Sequence, residues 1–532
     1  MRASYDFIII GAGSAGSVAA ARLSEDPDRT VLLLEAGGED RSLLIRMPLA
    51  FRILRQKMLF DWGYASEEEI HAGKRNIPAP RGKVVGGSSS INGMMYSRGH
   101  PRDYDQWSQM GATGWSFDEL LPFFRKSESN ERGASHWHGA DGPMAVSRMS
   151  ADDPLVAATR ESAVSLGLPL TEDFEAGSSE GVGLPDLTVS RGRRASAASA
   201  FLTPARKRPN LDIVTGAHAE KILFEGSRAT TVRFRRKGAS QTVHCTGEIV
   251  VSAGAFASPQ LLMLSGIGPA DHLREHGIDV LADLPGVGAN LQDHPLVPMG
   301  FRGAKPFPLR AQLRADRVAL SAARWLFTGG GMMGSQPLSA IAYYRSREGI
   351  ERPDLESMIM PTSLDAKVWF PGVRKPTDDM LTVLNCVLRP SSRGSVRLRG
   401  PDPSLSPAIQ FNLLETEEDI ALLRYSVAWT RNLMARQPIA DYVAGEVFPA
   451  AMGETPEKLD DYIRSTVVTA QHPACTCRMG GDPMSVVAPD LRVHGFENLR
   501  IADASVMPAL IGGHTNAPCI MIGERVAEFI SS

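Results

Sequence analysis

The stretch YDFIIIGAGSAGSVAAARLSEDPDRTVLLLEAGG, residues 5–38, decides the fold. It opens with a continuous apolar run at 7–10, which is typical of a parallel strand covered on both faces. Three glycines follow, and an alanine-rich segment after them predicts a helix that ends near residue 23. A second apolar run at 31–34 predicts the next strand. The order strand, glycine turn, helix, strand predicts a doubly wound α/β domain.

The glycine turn and the acid after the second strand predict a dinucleotide site. Gly11, Gly13 and Gly16 form a GxGxxG motif, which lets the backbone turn tightly and approach a pyrophosphate at the helix N-terminus. Glu35 ends the second strand, where a carboxylate can accept hydrogen bonds from adenosine ribose hydroxyls. Because an acid at this position disfavours a 2′-phosphate, the residues indicate FAD or NAD.

Composition restricts the class of protein. With 532 residues, two domains or one domain with a large insertion are expected. The balance of 57 basic against 60 acidic residues gives a net charge of −3. The short basic runs at 205–209 and 233–238 contain one aromatic residue between them, Phe234, and are flanked by turn or strand signals, so no nucleic-acid partner is expected. Residues 1–10 run directly into a strand without a signal-peptide pattern, which predicts a cytoplasmic location.

The five cysteines are too scattered for a disulfide framework, so a reducing compartment fits best. Cys475 and Cys477 lie in QHPACTC with one residue between them. This spacing suits neither a redox CxxC pair nor a zinc knuckle. Small side chains packed under a tight loop are the favoured interpretation, with a reactive thiol as the alternative.

Several longer motifs carry a family resemblance. They are RGKVVGGSSSINGMMYSRG at 81–99, GAFASPQLLMLSGIG at 254–268, LPGVGANLQDHP at 284–295, QHPACTCRMG at 471–480 and GGHTNAPCIMIGERVAEFI at 512–530. Together with the N-terminal glycine motif, they resemble the glucose–methanol–choline (GMC) family of FAD-dependent oxidoreductases, in the family's order across residues 5–530. The resemblance implies FAD as the cofactor.

The resemblance also implies a domain organisation. The fold class is α/β, α+β overall, with a doubly wound, Rossmann-like FAD-binding domain and a substrate domain built on an antiparallel sheet. The motifs assign 1–150, 200–300 and 470–532 to the FAD-binding domain. Residues 151–199 and 301–469 are assigned to the substrate domain.

Matching the family's motifs position by position gives a set of expected cofactor-binding residues. These are Gly11, Gly13, Ser14, Ala15, Gly16, Glu35, Ala36, Trp62, Arg81, Val85, Asn92, Gly93, Met94, Met95, Ala219, Asp503, Ala504, Thr515 and Asn516. Some members bind flavin covalently through a histidine just before the motif's asparagine. Because this chain has Ile91 there, the resemblance implies non-covalent FAD.

The resemblance implies oxidation of an alcohol at the flavin, with loss of the hydroxyl proton and hydride transfer to flavin N5. A neutral imidazole suits the proton step. By the family's motif His472 is this base, and His514 hydrogen-bonds the same hydroxyl or alkoxide. The partners expected are a small alcohol and an electron acceptor, which is a quinone, a dye-like acceptor or O2. The overall pattern is closer to bacterial dehydrogenases than to oxidases, and an O2-using alcohol oxidase is the alternative.

Two positions bear on the substrate. Choline-oxidising members carry tyrosine immediately before the catalytic histidine and a glutamate in the segment similar to PLSAIAYYR; this chain has Gln471 and Ser339. A quaternary ammonium needs aromatic faces or a carboxylate. The expected substrate is therefore an uncharged or weakly polar primary alcohol, oxidised to its aldehyde, and choline is the less favoured alternative.

Two other patterns compete with this interpretation. HLREH at 272–276 matches the HxxEH pattern of zinc peptidases, but by the resemblance it lies on a surface helix, so no metal site is expected. The segment 309–327 carries arginines at helical spacing beside leucines and a phenylalanine. It predicts either a lid helix or a basic amphipathic helix that contacts a membrane and suits electron delivery to a quinone.

Overall fold

The computed structural model describes residues 2–150, 152–177, 179–450 and 454–532. The strands are β1 (Ser4–Ile10), β2 (Val31–Glu35), β3 (Ala65–Glu69), β4 (Arg75–Pro78), β5 (Met95–Tyr96), β6 (Glu128–Asn130), β7 (Met144–Val146), β8 (Gly181–Gly183), β9 (Asp186–Leu187), β10 (Val189–Ser190), β11 (Arg193–Arg194), β12 (Leu211–Thr215), β13 (Ala217–Glu225), β14 (Arg228–Arg236), β15 (Ala239–Val251), β16 (Ile267–Gly268), β17 (Ala282–Asp283), β18 (Pro295–Gly303), β19 (Ala340–Tyr344), β20 (Leu355–Met360), β21 (Met380–Val387), β22 (Ser395–Arg397), β23 (Ala408–Gln410), β24 (Val443–Phe448), β25 (Val468–Thr469) and β26 (Leu499–Ile501). The helices are α1 (Ser14–Leu23), α2 (Leu43–Arg46), α3 (Phe51–Gln56), α4 (Pro101–Gln109), α5 (Phe117–Ser127), α6 (Pro154–Val164), α7 (Thr203–Ala205), α8 (Gly254–Leu264), α9 (Ala270–Glu275), α10 (Pro308–Gln312), α11 (Ala315–Thr328), α12 (Glu417–Met434), α13 (Pro456–Thr466) and α14 (Asn516–Ser531).

The first large sheet is built on the N-terminal strands. Its order is β12-β2-β1-β15-β14-β13, and β26 pairs with the end of β15. The pairs joining β12, β2, β1, β15 and β26 are parallel, whereas β13, β14 and β15 form an antiparallel meander. The side chains of 8–10 and 31–34 are buried, as the continuous apolar runs require of strands covered on both faces.

The second large sheet is antiparallel throughout. Its order is β24-β18-β21-β20-β19-β8, with β25 paired to β18. The long helix α12 packs against it, where Trp429 stacks on Tyr344 with ring centroids 4.1 Å apart and Thr430 donates to Asn385 (2.9 Å). The predicted fold class is confirmed.

The two large sheets take their strands from different parts of the chain. Strands from 4–35, 211–251 and 499–501 build the first sheet, and strands from 181–183 and 340–387 lie in the second. β18 belongs to the second sheet from Pro295 onward, slightly earlier than the boundary at residue 300 expected from the resemblance. The division into an FAD-binding and a substrate domain remains a prediction.

The segment 309–327 is two helices. α10 ends at Gln312, and α11 begins at Ala315 after the chain extends at Arg314. Within α11 only Trp325 is buried, and it donates to the carbonyl of Gly192 (2.7 Å). Among the described residues, no helix has the length and apolar character that a bilayer span demands.

Candidate active site

A cavity of about 910 Å³ lies between the two large sheets. Its walls include Ile10 and Leu34 from the first sheet and Leu296, Met358 and Leu384 from the second. This volume is near the upper end of the range for ligand sites, roughly 300–1,000 Å³. The first sheet contributes the ends of its parallel strands, which is where open α/β sheets bind ligands.

The glycine turn forms a cradle at one end of this cavity. A Cβ on Gly11, which has a φ of +102°, would lie 2.4 Å from the carbonyl oxygen of Ser252, and a Cβ on Gly16 would lie 2.0 Å from the carbonyl oxygen of Gly11. A Cβ on Gly13 would meet only the carbonyl oxygen of Ser252, at 3.9 Å, so this glycine faces open space. The tight turn therefore leaves room for a ligand at the N-terminus of α1.

Glu35 closes the cradle at the end of β2. Its carboxylate accepts from the backbone N–H of Ala12 (2.9 Å) and of Gly37 (2.7 Å). Burial raises the pKa of Glu35 to about 7, and these two hydrogen bonds and Lys83 oppose that rise. A buried carboxyl beside a glycine turn and open space fits the ribose of a dinucleotide.

Most residues expected at the cofactor come together around this cavity. Those lining it are Gly11, Gly13, Ser14, Ala15, Glu35, Ala36, Trp62, Arg81, Asn92, Gly93, Met94, Met95, Ala219, Asp503, Ala504, Thr515 and Asn516. Gly16 and Val85 do not line it: Gly16 serves the turn, and Val85 is fully buried, with its N–H donating to the carbonyl of Gly38 (3.0 Å). Their assignment as cofactor contacts stays a prediction.

The loop at 92–95 is held by a residue that sequence reasoning missed. Arg194 is buried and donates through Nη1 to both the backbone carbonyl and the side-chain oxygen of Asn92, each at 2.7 Å. Burial lowers the pKa of Arg194 to about 9. Asn92 in turn accepts from the N–H of Met94 (3.1 Å), which has a φ of +63°. Arg194 thus stabilises the strained loop that faces the cavity.

Three histidines meet at the other side of the cavity. Nε2 of His472 lies 3.2 Å from Nδ1 of His514, and both residues line the cavity. Nδ1 of His472 lies 3.0 Å from Nδ1 of His294, which is fully buried behind it. His294 lies in the LQDHP motif, where neither its spacing nor its neighbours predict a role in the site.

The hydrogen bonds dictate the tautomers of this trio. The carbonyl of Ile511, 3.0 Å from Nε2 of His294, can only accept, so this nitrogen carries the proton. Burial lowers the pKa of His294 to about 4, so the ring is neutral and its Nδ1 is an acceptor. His472 must then donate through Nδ1–H, which leaves the lone pair of its neutral ring on Nε2, toward the cavity.

The surroundings of His472 keep it neutral. Burial, followed by His514, His294 and Arg81, holds the pKa of His472 well below its ordinary value. The backbone N–H of His472 donates to Oδ1 of Asp293 (2.8 Å), which also accepts from the N–H of His294 (2.8 Å). The buried Asp293 therefore fixes the backbone of both histidines, and a neutral His472 can accept a proton at Nε2.

A buried carboxylate stands behind His514. Oε2 of Glu356 lies 3.6 Å from Nε2 of His514, and Glu356 itself is 2% exposed. A proton on Nε2 of His514 would therefore face a negative group. Glu356 lies two residues before Met358 on β20, so its side chain points to the sheet face that borders the cavity.

The competing motifs have structural roles. His272 accepts from the backbone N–H of Leu398 (3.0 Å), and His276 lies 3.1 Å from the carbonyl of the same residue, so this pair holds a neighbouring loop. Cys475 and Cys477 are both fully buried and unbonded to another cysteine, and burial raises the pKa of each thiol. The described residues contain no cluster of histidine, cysteine or acidic side chains suited to a metal ion.

An α/β sheet with a parallel half and a glycine cradle, joined to a histidine site under an antiparallel sheet, is the arrangement expected of a dinucleotide-dependent enzyme. The models of the GMC oxidoreductase family match residues 5–296 and 390–523. This chain belongs to the GMC oxidoreductase family. Members are FAD flavoproteins, and the expected oxidoreductase is confirmed.

Full-length relatives share this architecture. The chain is 42% identical over 527 residues to an oxygen-dependent choline dehydrogenase from Rhizobium etli, covering 99% of this chain and 95% of the relative. Among solved structures it is similar to pyridoxine 4-oxidase from "Mesorbium loti", with 34% identity, a TM-score of 0.89 and 99% of each chain covered. It is also similar to a formate oxidase, with 28% identity, a TM-score of 0.91 and coverage of 100% of this chain and 99% of the other.

Proposed function

We propose that this enzyme oxidises a primary alcohol to its aldehyde, with His472 as the base that accepts the hydroxyl proton. The observation that carries the proposal is the lone pair on Nε2 of His472, which the hydrogen bonds of His294 and Ile511 leave on the cavity side of the ring, beside His514. His514 lies within reach of the same hydroxyl and orients it. Bound FAD supplies the acceptor for the hydride that leaves the carbinol carbon.

The same cavity would hold the cofactor without a covalent bond. Ile91 lines the wall where some family members carry the histidine that attaches flavin, and an isoleucine side chain has no nucleophilic atom. The cradle at Gly13 and the carboxylate of Glu35 would receive the pyrophosphate and the ribose. Residues 92–95, fixed by Arg194, would lie along the flavin ring.

Choline is the second candidate substrate, because the chain is 42% identical to a choline dehydrogenase along almost its full length. Two positions of the sequence differ from those of choline-oxidising members. Gln471 stands where choline-oxidising members have tyrosine, and Ser339 is buried where they have glutamate. A quaternary ammonium would therefore lack the aromatic face and the carboxylate that choline-oxidising members offer at these two positions.

The test of the proposal is anaerobic reduction of the bound flavin by a panel of alcohols. We expect straight-chain and benzylic primary alcohols to bleach the visible flavin absorbance and choline to do so poorly. Bleaching by choline alone would assign the chain to choline oxidation. Reoxidation of the reduced enzyme with O2, a soluble quinone or a dye then distinguishes an oxidase from a dehydrogenase.

We also propose that α11 contacts an anionic membrane surface. Leu320 is 73% and Phe327 88% exposed on this helix, and Arg317 lies on it; Arg314, just before it, is paired with Asp316. Exposed apolar side chains beside cations suit an anionic bilayer.

We expect co-sedimentation with vesicles that contain an anionic phospholipid at low salt, and none for a Leu320→Ser/Phe327→Ser variant or with purely zwitterionic vesicles. Protein that stays in the supernatant under every condition would contradict the proposed membrane contact.

A further inference from the structure

Arginines of the short helix α3 face the cavity on its substrate side. Arg52, Arg55 and Gln56 follow the i, i+3, i+4 spacing of one helix face, and all three line the cavity. The buried Leu54 anchors the helix to the protein. α3 carries none of the motifs that define the family, so the sequence offered no signal for these side chains.

The two arginines differ in their partners. Arg52 donates through Nη2 to the carbonyls of Ser363 (3.2 Å) and Leu364, and the nearby Asp365 opposes the lowering of its pKa by burial. Arg52 is therefore held by backbone carbonyls and forms a fixed part of the cavity wall. Arg55 has no carboxylate partner among the residues that the structure describes. Its side chain is exposed, and partial desolvation, which no acid opposes, lowers its pKa.

Arg55 lies next to the catalytic segment. With the side-chain amide of Gln471 turned so that its oxygen faces the guanidinium, this oxygen is 2.7 Å from Nη2 and 3.2 Å from Nη1 of Arg55. The carbonyl of Gln471 accepts from Nη2 of Arg81 (2.7 Å). Gln471 immediately precedes His472, so the guanidinium of Arg55 is tied to the residue beside the proposed base.

The acids around the cavity do not neutralise Arg55. Glu35 accepts from backbone N–H groups of the glycine turn, and Asp503 accepts from the N–H of Gly254 (2.8 Å) and the hydroxyl of Ser258 (2.5 Å). Asp61 accepts from the N–H of Gly63 (2.8 Å) and of Arg81 (3.2 Å), and with Asp293 it offsets the charge of Arg81. Among the described residues no carboxylate forms an ion pair with Arg55, so its exposed guanidinium on the cavity lining is available to a ligand.

Apolar side chains make up much of the remaining substrate-side wall, beside the polar Gln336. Met358 and Met360 of β20 and Leu384 of β21 line it, and Met358 pairs with Leu384 across the two strands. Leu338 and Pro298 complete the surface. A largely apolar wall with a guanidinium that forms no ion pair suits a ligand with a hydrocarbon body and one anionic end.

We propose that Arg55 forms an anion subsite that binds a carboxylate at the far end of the alcohol substrate. The inference rests on the proposed alcohol oxidation and changes the expected substrate from an uncharged alcohol to an ω-hydroxycarboxylate or a ring analogue such as 4-(hydroxymethyl)benzoate. Gln471 orients the guanidinium, because its amide oxygen can accept both Nη donors. The same positive charge repels choline.

The first measurement compares each acid with its neutral amide. A series of straight-chain ω-hydroxycarboxylates and 4-(hydroxymethyl)benzoate is tested beside the corresponding amides by anaerobic flavin reduction in the holoenzyme. Because a hydrogen bond between charged groups contributes roughly 1.5–3 kcal/mol, we expect the best acid to exceed its amide about 10- to 100-fold in kcat/KM. The advantage should shrink as salt is added.

Variants assign the effect to Arg55. Arg55→Gln should abolish the preference for the acid and Arg55→Lys should retain part of it, because lysine keeps the charge but not the bidentate geometry. Lys57→Gln is the matched control, since Lys57 is exposed just beyond α3 and does not line the cavity. It removes one positive charge and should leave the preference unchanged.

A binding measurement separates this inference from the proposed function. Hexanoate and benzoate have no hydroxyl to oxidise, so their binding, followed by calorimetry and by the flavin spectrum, reports the subsite alone. We expect both to bind the wild type and to bind Arg55→Gln about 10- to 100-fold more weakly. If neutral alcohols reduce the flavin but acids are neither better substrates nor ligands, the anion subsite is wrong and alcohol oxidation stands. If carboxylates bind through Arg55 but no alcohol reduces the flavin, alcohol oxidation is wrong and the subsite stands.

Discussion

Replacing His472 with alanine should slow flavin reduction by substrate about 10²- to 10⁴-fold, the usual loss when a general base is removed. FAD should remain bound, because the cradle at Gly13 and the carboxylate of Glu35 are on the other side of the cavity and do not depend on the imidazole. Stopped-flow absorbance under anaerobic conditions measures the reduction rate directly. Added imidazole should restore part of the rate.

The control for this variant is His244→Ala. His244 is exposed on the meander and does not line the cavity, so its removal should leave the reduction rate unchanged. His514→Ala should also slow reduction, since it removes the imidazole proposed to orient the substrate hydroxyl beside Nε2 of His472, 3.2 Å from its own Nδ1. A His472→Ala enzyme that is reduced at a near-normal rate would contradict the role of this residue as the base.

Replacing Gly11 with alanine should deprive the protein of most of its bound FAD. The new Cβ would lie 2.4 Å from the carbonyl oxygen of Ser252, a backbone atom that has no side-chain freedom to move away. The φ of +102° adds strain of roughly 1–3 kcal/mol for a residue with a side chain. The turn must open to relieve the clash and the strain. Opening it would also distort the space at the N-terminus of α1. The ratio of flavin to protein absorbance measures the outcome.

Gly38→Ala is the matched control for Gly11→Ala. No atom lies within 4 Å of a Cβ placed on Gly38, and its backbone is outside the left-handed region. It should therefore keep full flavin content and an unchanged melting temperature. A Gly11→Ala protein with normal flavin content would mean that the turn does not bind the cofactor.

Both predictions use residues that sequence patterns identified, yet the reasons for their effects came from the fold. The GxGxxG spacing located Gly11 but not the carbonyl of Ser252, which follows the end of β15, more than two hundred positions along the chain. The family's motif located His472 but not its tautomer, which depends on His294 and the carbonyl of Ile511. Contacts across such separations are not encoded in local spacing.

Arg194 and Glu356 illustrate the same limit. Arg194 follows no recognisable motif, and its importance lies in two hydrogen bonds to Asn92, about a hundred positions away. Glu356 belongs to the alternating pattern of β20, which predicts only that it shares a face with Met358. Its position behind His514 follows from the packing of the antiparallel sheet over the C-terminal motif.

The sequence by itself determined the fold class, the family and the cradle of the cofactor, because strand, turn and helix at the N-terminus are formed by neighbouring residues whose spacing is readable. Only the tertiary structure decided the protonation pattern of the histidine trio and the anion subsite proposed at Arg55. These depend on which charges and hydrogen-bond partners meet across the cavity and on which are left without a partner. Such pairings arise only when two sheets and the short helix α3 enclose one space.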